Sequence, residues 1–320
     1  MGLLPMDLDI LPPSDDRVFK LILTSPEAKP GLVKLIAGVI GRNVLDVVVH
    51  NNELPPGDTE EKAERFDVNC KIDDGSQINL EMQASHIKED LDGQHNNLKG
   101  KSVYYLTDLH SSQPSRGVRR YDRLARTYQV TFCSYTVFPN LPENYVNSFS
   151  LRHDVTGELL SDAVHVIFVE LSKLGAILKK PVKEMTALDK WAVFFQYAQD
   201  PRYRETVNRV IESEEVLTVA GELLMSISQN ERERAIFRSR RKFQTDYASD
   251  MATAEDNGRR IGRAEGRAEG RAEGRAEGRM EIARNALRKR IPIEDIMDIT
   301  GLTREEVEQL ARSPQSCIEK

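Results

Sequence analysis

The chain has 320 residues, enough to bury one full α/β core and leave residues for a helical appendage. A net charge of −6 argues against a protein that coats nucleic acid nonspecifically, although the basic residues are unevenly spread. Three scattered cysteines (Cys70, Cys133, Cys317) lack C-x-x-C spacing, and no apolar run approaches the roughly 18 residues of a membrane span, so disulfide framework, zinc site, secretion and membrane insertion are not indicated; a reducing cytoplasm is expected.

Residues 1–13 have no period and read as an arm. Ser14 and Asp15 offer N-cap oxygens to a helix over 17–23, and Pro26 restarts a second helix that runs to Val39. Residues 44–50 (VLDVVVH) read as a first strand, followed by a polar Pro-Pro-Gly loop. Residues 64–72 (ERFDVNCKI) and 77–84 (QINLEMQA) then alternate apolar with polar side chains around Asp73-Asp74-Gly75, the pattern of two half-buried strands joined by a tight turn.

A three-residue loop with left-handed Gly75 pairs Ile72 with Ser76 and therefore Asp67 with Glu81. In that register Phe66, Val68, Cys70, Ile72, Ile78, Leu80 and Met82 share one face, and Asp67, Glu81 and Gln83 share the other. A slip of one residue would invert every side chain. Two carboxylates at a Cβ separation of about 5 Å repel when ionised and call for a cation between them. Mg²⁺, with Mn²⁺ as the substitute, suits one or two carboxylates and a phosphate substrate. The polar outer face of an ordinary hairpin is the competing account of the same residues.

A long helix is expected over 85–111, weakened near Gly93 and Gly100. Residues 115–126 carry five arginines against one aspartate, and residues 231–242 carry six basic residues against two acidic ones. Either patch can grip phosphates or form a solvated helix face. Residues 128–138 and 164–171 read as buried strands. From Met185 the pattern is helical (187–197, 206–211, 214–228), suggesting a bundle packed on the sheet or an arm for a partner.

Residues 259–279 repeat the tetrad Gly-Arg-Ala-Glu. The repeat stacks Arg over Arg and Glu over Glu with a glycine in each turn, so it reads as a polar spacer and not as a strong isolated helix. Residues 280–290 are helix-like, and 292–310 read as two short helices across Thr300-Gly-Leu-Thr303, with Thr303 and Glu306 forming a capping box. The acidic second helix favours self-association or a protein partner over DNA reading. The six histidines show no metal-binding spacing, and neither a serine-hydrolase elbow nor a P-loop is present.

The motif order resembles one branch of the PD-(D/E)XK nuclease superfamily, the recombination-promoting nuclease or transposase family. Asp16-Arg-Val-Phe19-Lys20 is similar to its D-x-x-F-K opening, Leu80-Glu81-Met82-Gln83 to its I-E-M-Q strand, Lys101-Ser-Val-Tyr104-Tyr105 to its R-x-x-Y-Y helix, and Val169-Glu170-Leu171-Ser-Lys173 to its I-E-L-x-K strand. Many members carry the Gly-Arg-Ala-Glu tail. The resemblance implies a restriction-endonuclease-like α/β core, a mixed sheet flanked by helices, with an α-helical C-terminal extension. The expected division is a core over 12–175, a helical extension over 176–257, a spacer over 258–279 and a helical hairpin over 280–313.

It also implies a Mg²⁺-dependent DNA endonuclease linked to recombination. Asp67, Glu81 and Gln83 would be catalytic, and Asp67 and Glu81 would hold the metal, with Asp16 as a further ligand or else a capping residue. Lys101, Arg116, Arg119, Arg120 and Arg123 would contact DNA. Gln83 stands where the superfamily has lysine and Lys101 where the branch has arginine, so the lysine role falls to Lys99 or Lys101, or catalysis is weak. The rival reading is a decayed nuclease core serving in DNA binding or self-assembly, with homo-oligomers formed through the C-terminal helices. Tyr104 and Tyr105 read as core tyrosines, and Glu170 as a buried structural acid paired with Lys173.

Overall fold

The computed structural model describes residues 2–50, 68–84, 91–113 and 120–312. Two compact units divide the chain, Met1–Gln244 and Thr245–Lys320.

The first unit is built on a six-stranded mixed sheet: β1 (Val47–His50), β2 (Val68–Ile72), β3 (Gln77–Gln83), β4 (Thr127–Cys133), β5 (Val146–Arg152) and β6 (Leu159–Glu170), in the spatial order β1-β2-β3-β4-β6-β5. β1, β2 and β3 are antiparallel neighbours, β3, β4 and β6 run parallel, and β5 closes the far edge antiparallel to β6. Helix α3 (Leu91–Ser111) connects β3 to its parallel neighbour β4 and covers one face of the sheet, where Leu98 and Leu106 meet Val166 and Phe168. The opposite face carries the main core, contributed by α1 (Asp16–Leu23), α2 (Lys29–Ile40), α4 (Ala187–Tyr197), α5 (Arg204–Glu212) and α6 (Glu215–Gln229).

The β2–β3 hairpin has the register expected of its alternation. Val68 pairs with Leu80, and the Ile72 amide donates to Ser76 O at 3.0 Å. Gly75 sits at φ 86°, the left-handed geometry for which glycine carries no steric cost. Val68, Cys70, Ile72, Ile78, Leu80 and Met82 all enter the main core. Phe66 and Asp67 lie outside the described residues. Asp73 further ties the turn to the segment just before β1 by accepting from the Leu45 amide at 2.8 Å.

Phe19 of α1, Phe132 of β4 and Phe195 of α4 meet with ring centroids 5.1–5.7 Å apart, so α4 shares one core with α1 and the sheet. The arm is aperiodic but docked. Asn208 receives the Leu4 amide and donates to Leu4 O, both at 2.9 Å, while buried Arg204 donates to Pro5 O at 2.6 Å. The Leu11 amide donates to Ser228 Oγ at 3.0 Å, so the segment borrows partners from α5 and α6.

Glu170 ends β6 fully buried. One carboxylate oxygen accepts from the Val137 and Phe138 amides at 2.6 and 3.0 Å, and the other from Asn147 Nδ2 at 2.6 Å and Lys173 Nζ at 2.7 Å. This is the structural ion pair expected from sequence. Glu170→Ala leaves the Val137 and Phe138 amides without their acceptor and Lys173, which keeps the Phe138 and Leu141 carbonyls, without its counter-charge, so urea denaturation is expected to show a loss of about 3–5 kcal/mol of unfolding free energy. Glu170→Gln, with one acceptor oxygen, should recover only part of it.

Helix α7 (Glu231–Arg288) is continuous through the Gly-Arg-Ala-Glu tetrads, which are expected as a polar spacer and not as a strong isolated helix. Helix on both sides removes the nucleation cost, and Arg, Ala and Glu are strong helix formers in three of every four positions. The tetrads are exposed except at Ala276 and Gly278, which are half-buried. In the second unit, the end of α7 with α8 (Ile293–Thr300) and α9 (Arg304–Arg312) closes a small core of Ala283, Ala286, Ile296 and Val307. The capping box is present: the Thr303 amide donates to Glu306 Oε2 at 2.8 Å and the Glu306 amide to Thr303 Oγ1 at 3.3 Å. Among the described residues no helix is long and apolar enough to cross a membrane.

Candidate active site

Strands β3 and β4 are central, parallel and covered on both faces, a situation in which side chains are ordinarily apolar throughout. The main-core face obeys this with Ile78, Leu80, Val130 and Phe132. The face under α3 does not. There, Asn79 and Glu81 of β3 lie beside Gln129 and Thr131 of β4 in parallel register, and all four are buried.

Glu81 is the acidic member of this polar inlay, only 6 % exposed. Lys101, reaching down from α3, forms an ion pair with Glu81 Oε1 and keeps about a third of its side chain in solvent. Gln129 Nε2 donates to Glu81 Oε2 at 3.4 Å and to Thr131 Oγ1 at 3.3 Å, and Asn79 Nδ2 donates to Gln129 Oε1 at 2.8 Å. Ser102 of α3 lies 3.3 Å from the Thr131 hydroxyl. The result is a buried carboxylate with a hydrogen-bonded chain behind it and an ammonium at its solvent side.

Two further groups feel this charge. The Tyr135 phenol, on the loop after β4, is pushed up to about 12 by burial first and then by Cys133 and Glu81, so it remains a hydrogen-bond donor at neutral pH. Burial, followed by Glu170 and Glu81, holds the Cys133 thiol well above its ordinary range, which removes it as a nucleophile.

The other expected site residues fall in several places. Gln83 is half-buried at the end of β3, on the face of Glu81. Asp67, Arg116 and Arg119 lie outside the described residues, as does Cys317. Asp16 stands in the first turn of α1, whose buried side chains join the core on the opposite face of the sheet. Both its oxygens accept from Arg240 Nη2 at 2.7 Å. Asp15 is the N-cap, accepting from the Arg17 and Val18 amides at 3.1 and 3.2 Å.

Arg120 is exposed but bound bidentately to Asp122, at 2.9 and 2.5 Å, so its charge is compensated locally; Arg123 is exposed. Lys101, expected as a DNA contact, pairs with Glu81. Lys99 sits 5.0 Å from the centroid of the Phe138 ring, leaving Lys101 as the lysine at the carboxylate. Tyr104 is 55 % exposed and Tyr105 is packed beside Lys101, which corrects the expectation of two core tyrosines: adjacent helical residues point about 100° apart.

Asn79, Gln129, Thr131, Ser102 and Tyr135 are defining positions in none of the sequence motifs. The available signal was the polar alternation of Gln129 and Thr131 inside an apolar strand, matched by Asn79 and Glu81 on its neighbour.

A mixed sheet clasped between a helical core and a crossover helix, with a buried acid on a central strand, is the restriction-endonuclease-like α/β architecture. Residues 13–254 match the model of the PD-(D/E)XK nuclease family transposases, and the chain belongs to that family. No curated protein and no solved structure matches the chain.

Proposed function

We propose that the protein is a divalent-metal-dependent DNA endonuclease in which Glu81, Lys101 and Gln83 act together with Asp67 on a phosphodiester bond. The observation that carries this reading is the Glu81–Lys101 pair, a buried acid and a solvent-reaching ammonium at one point of a polar inlay. It supplies from helix α3 the positive charge that Gln83 lacks.

The donors suit a hard divalent ion. Glu81 offers carboxylate oxygen, and Asn79 Oδ1, two residues along the same face, is a buried acceptor without a protein hydrogen bond among the described residues. Glu81 and Asp67 would hold Mg²⁺, or Mn²⁺ in its place, and the bound ion would supply Lewis-acid charge and a water of lowered pKa. The chain's own groups do the remainder. The Lys101 ammonium donates to a phosphate oxygen as negative charge develops on it. The Gln83 carboxamide accepts a hydrogen bond from the attacking water and donates to the phosphate, and it carries no charge of its own. Tyr135 offers a further protonated donor. Arg123, with Arg116 and Arg119, would grip the DNA backbone, while Asp16, held by Arg240, stays outside the proposed set. A link to recombination rests on the family resemblance.

The test is nicking of supercoiled plasmid by the full chain in Mg²⁺ and in excess chelator. Activity is expected only with the ion and is expected to vanish in both Asp67→Ala and Glu81→Ala. Activity that survives in both variants, or without a divalent ion, removes the proposal. Metal titration separates it from a noncatalytic assembly role. A ligand that binds only the folded state raises the thermal midpoint, by about 2.7 kcal/mol of stability at a hundredfold excess over Kd, and a midpoint indifferent to Mg²⁺ and Mn²⁺ would favour the rival.

A further inference from the structure

We infer that Gln129, itself fixed by Asn79, is a positioning residue that aims the Glu81 carboxylate into the site; this rests on the assignment of Glu81 proposed above. Gln129 and Asn79 are both fully buried on the central parallel strands, one register step behind Glu81. Those positions are filled by valine, isoleucine or leucine when packing alone is at stake, as they are on the opposite face of the same two strands.

The direction of the hydrogen bonds is dictated from the Glu81 end. An ionised carboxylate only accepts, so Gln129 must turn its Nε2 toward Glu81 and its carbonyl toward Asn79. Asn79 must then present Nδ2 to that carbonyl at 2.8 Å. Its own oxygen is left without a protein hydrogen bond among the described residues. Both amides of a neutral pair could be turned to relieve that oxygen, but turning them would set the Gln129 carbonyl against the Glu81 carboxylate. The chain Asn79 to Gln129 to Glu81 is therefore polarised in one sense, and each donor strengthens the next. It holds Oε2 from behind, while Oε1 meets Lys101 at the solvent side.

Two full-length variants separate positioning from packing. Gln129→Met keeps length and burial but removes the donor. Asn79→Asp keeps shape but can only accept, which reverses Gln129 and takes its donor away from Glu81. Thermal unfolding identifies folded variants, steady-state cleavage of supercoiled DNA is measured at saturating and limiting substrate, and the Mn²⁺ dependence of the thermal midpoint is followed separately from cleavage.

For the folded variants the expected result is a kcat lower by about 10–100-fold with KM for DNA unchanged, and a matching rise in the Mn²⁺ concentration that stabilises the protein. Should Asn79→Asp not fold, Gln129→Met decides alone, and Gln129→Asn, a donor too short to reach, substitutes for either. Wild-type kcat and Mn²⁺ response in the folded variants, beside an inactive Glu81→Gln, overturns the positioning role while leaving the proposed function intact. Full activity in Glu81→Gln removes the assignment on which it rests, and this inference with it.

Discussion

Glu81→Gln is expected to lower the single-turnover rate of DNA cleavage by about 10³-fold, equivalent to roughly 4 kcal/mol of transition-state stabilisation, while the protein stays folded. The substitution is nearly isosteric, and the carboxamide oxygen it introduces can still accept from Gln129. What disappears is the negative charge. With it go the partner of Lys101 and the acid proposed to hold the metal. Because about a third of the Lys101 side chain reaches solvent, the ammonium left behind can hydrate, and the stability cost is expected to be about 1 kcal/mol or less. Circular dichroism and thermal melting of the variant therefore serve as the control: an inactive protein with a near-native melt identifies Glu81 as chemical and not architectural. An unchanged rate in a folded protein would mean that the buried acid has only a structural task.

Lys101→Met is expected to lower the same rate by about 10²-fold, the loss associated with removing one preorganised donor from developing charge, and to leave KM for DNA nearly unchanged. A simple backbone contact would behave in the opposite way, weakening binding and its salt dependence with little change in the chemical step. Lys101→Arg is expected to keep much of the rate that Lys101→Met loses, because a guanidinium also pairs with a carboxylate and arginine is the residue usual at this position of the R-x-x-Y-Y helix. Lys99→Met is the internal control. Its ammonium lies over the Phe138 ring and away from the carboxylate, so its rate should remain near wild type.

Much of the fold could be read from local pattern. The alternation on either side of Gly75 gives the faces and register of the β2–β3 hairpin, because a half-buried strand writes its orientation into every second residue. The apolar runs of β4 and β6, the boundaries of α4 and the capping box of α9 are equally local. β5 was not legible. Its sequence, VNSFSLR, lies on an exposed edge where only Val146, Phe149 and Leu151 are apolar and their spacing is uneven. The tetrads have little helical stability in isolation, whereas α7 enters and leaves the repeat already helical.

The site divides along the same line. Glu81 and Gln83 stand out by their places on a strand, but the choice of Lys101 over Lys99 depends on how α3 lies across the sheet, which no short window encodes. Asp16 looked like a ligand by motif and is engaged by Arg240, more than two hundred residues away in sequence. The Asn79–Gln129 chain needed the parallel register of β3 with β4, a pairing made across the whole of α3.

The most direct measurement is a double-mutant cycle on single-turnover cleavage, comparing wild type, Glu81→Gln, Lys101→Met and the double variant in Mg²⁺. Groups that act as one catalytic unit give a double variant little slower than Glu81→Gln alone. Losses that multiply across the two sites, or a wild-type chain that leaves the phosphodiester bond intact, would contradict a shared centre at Glu81 and Lys101.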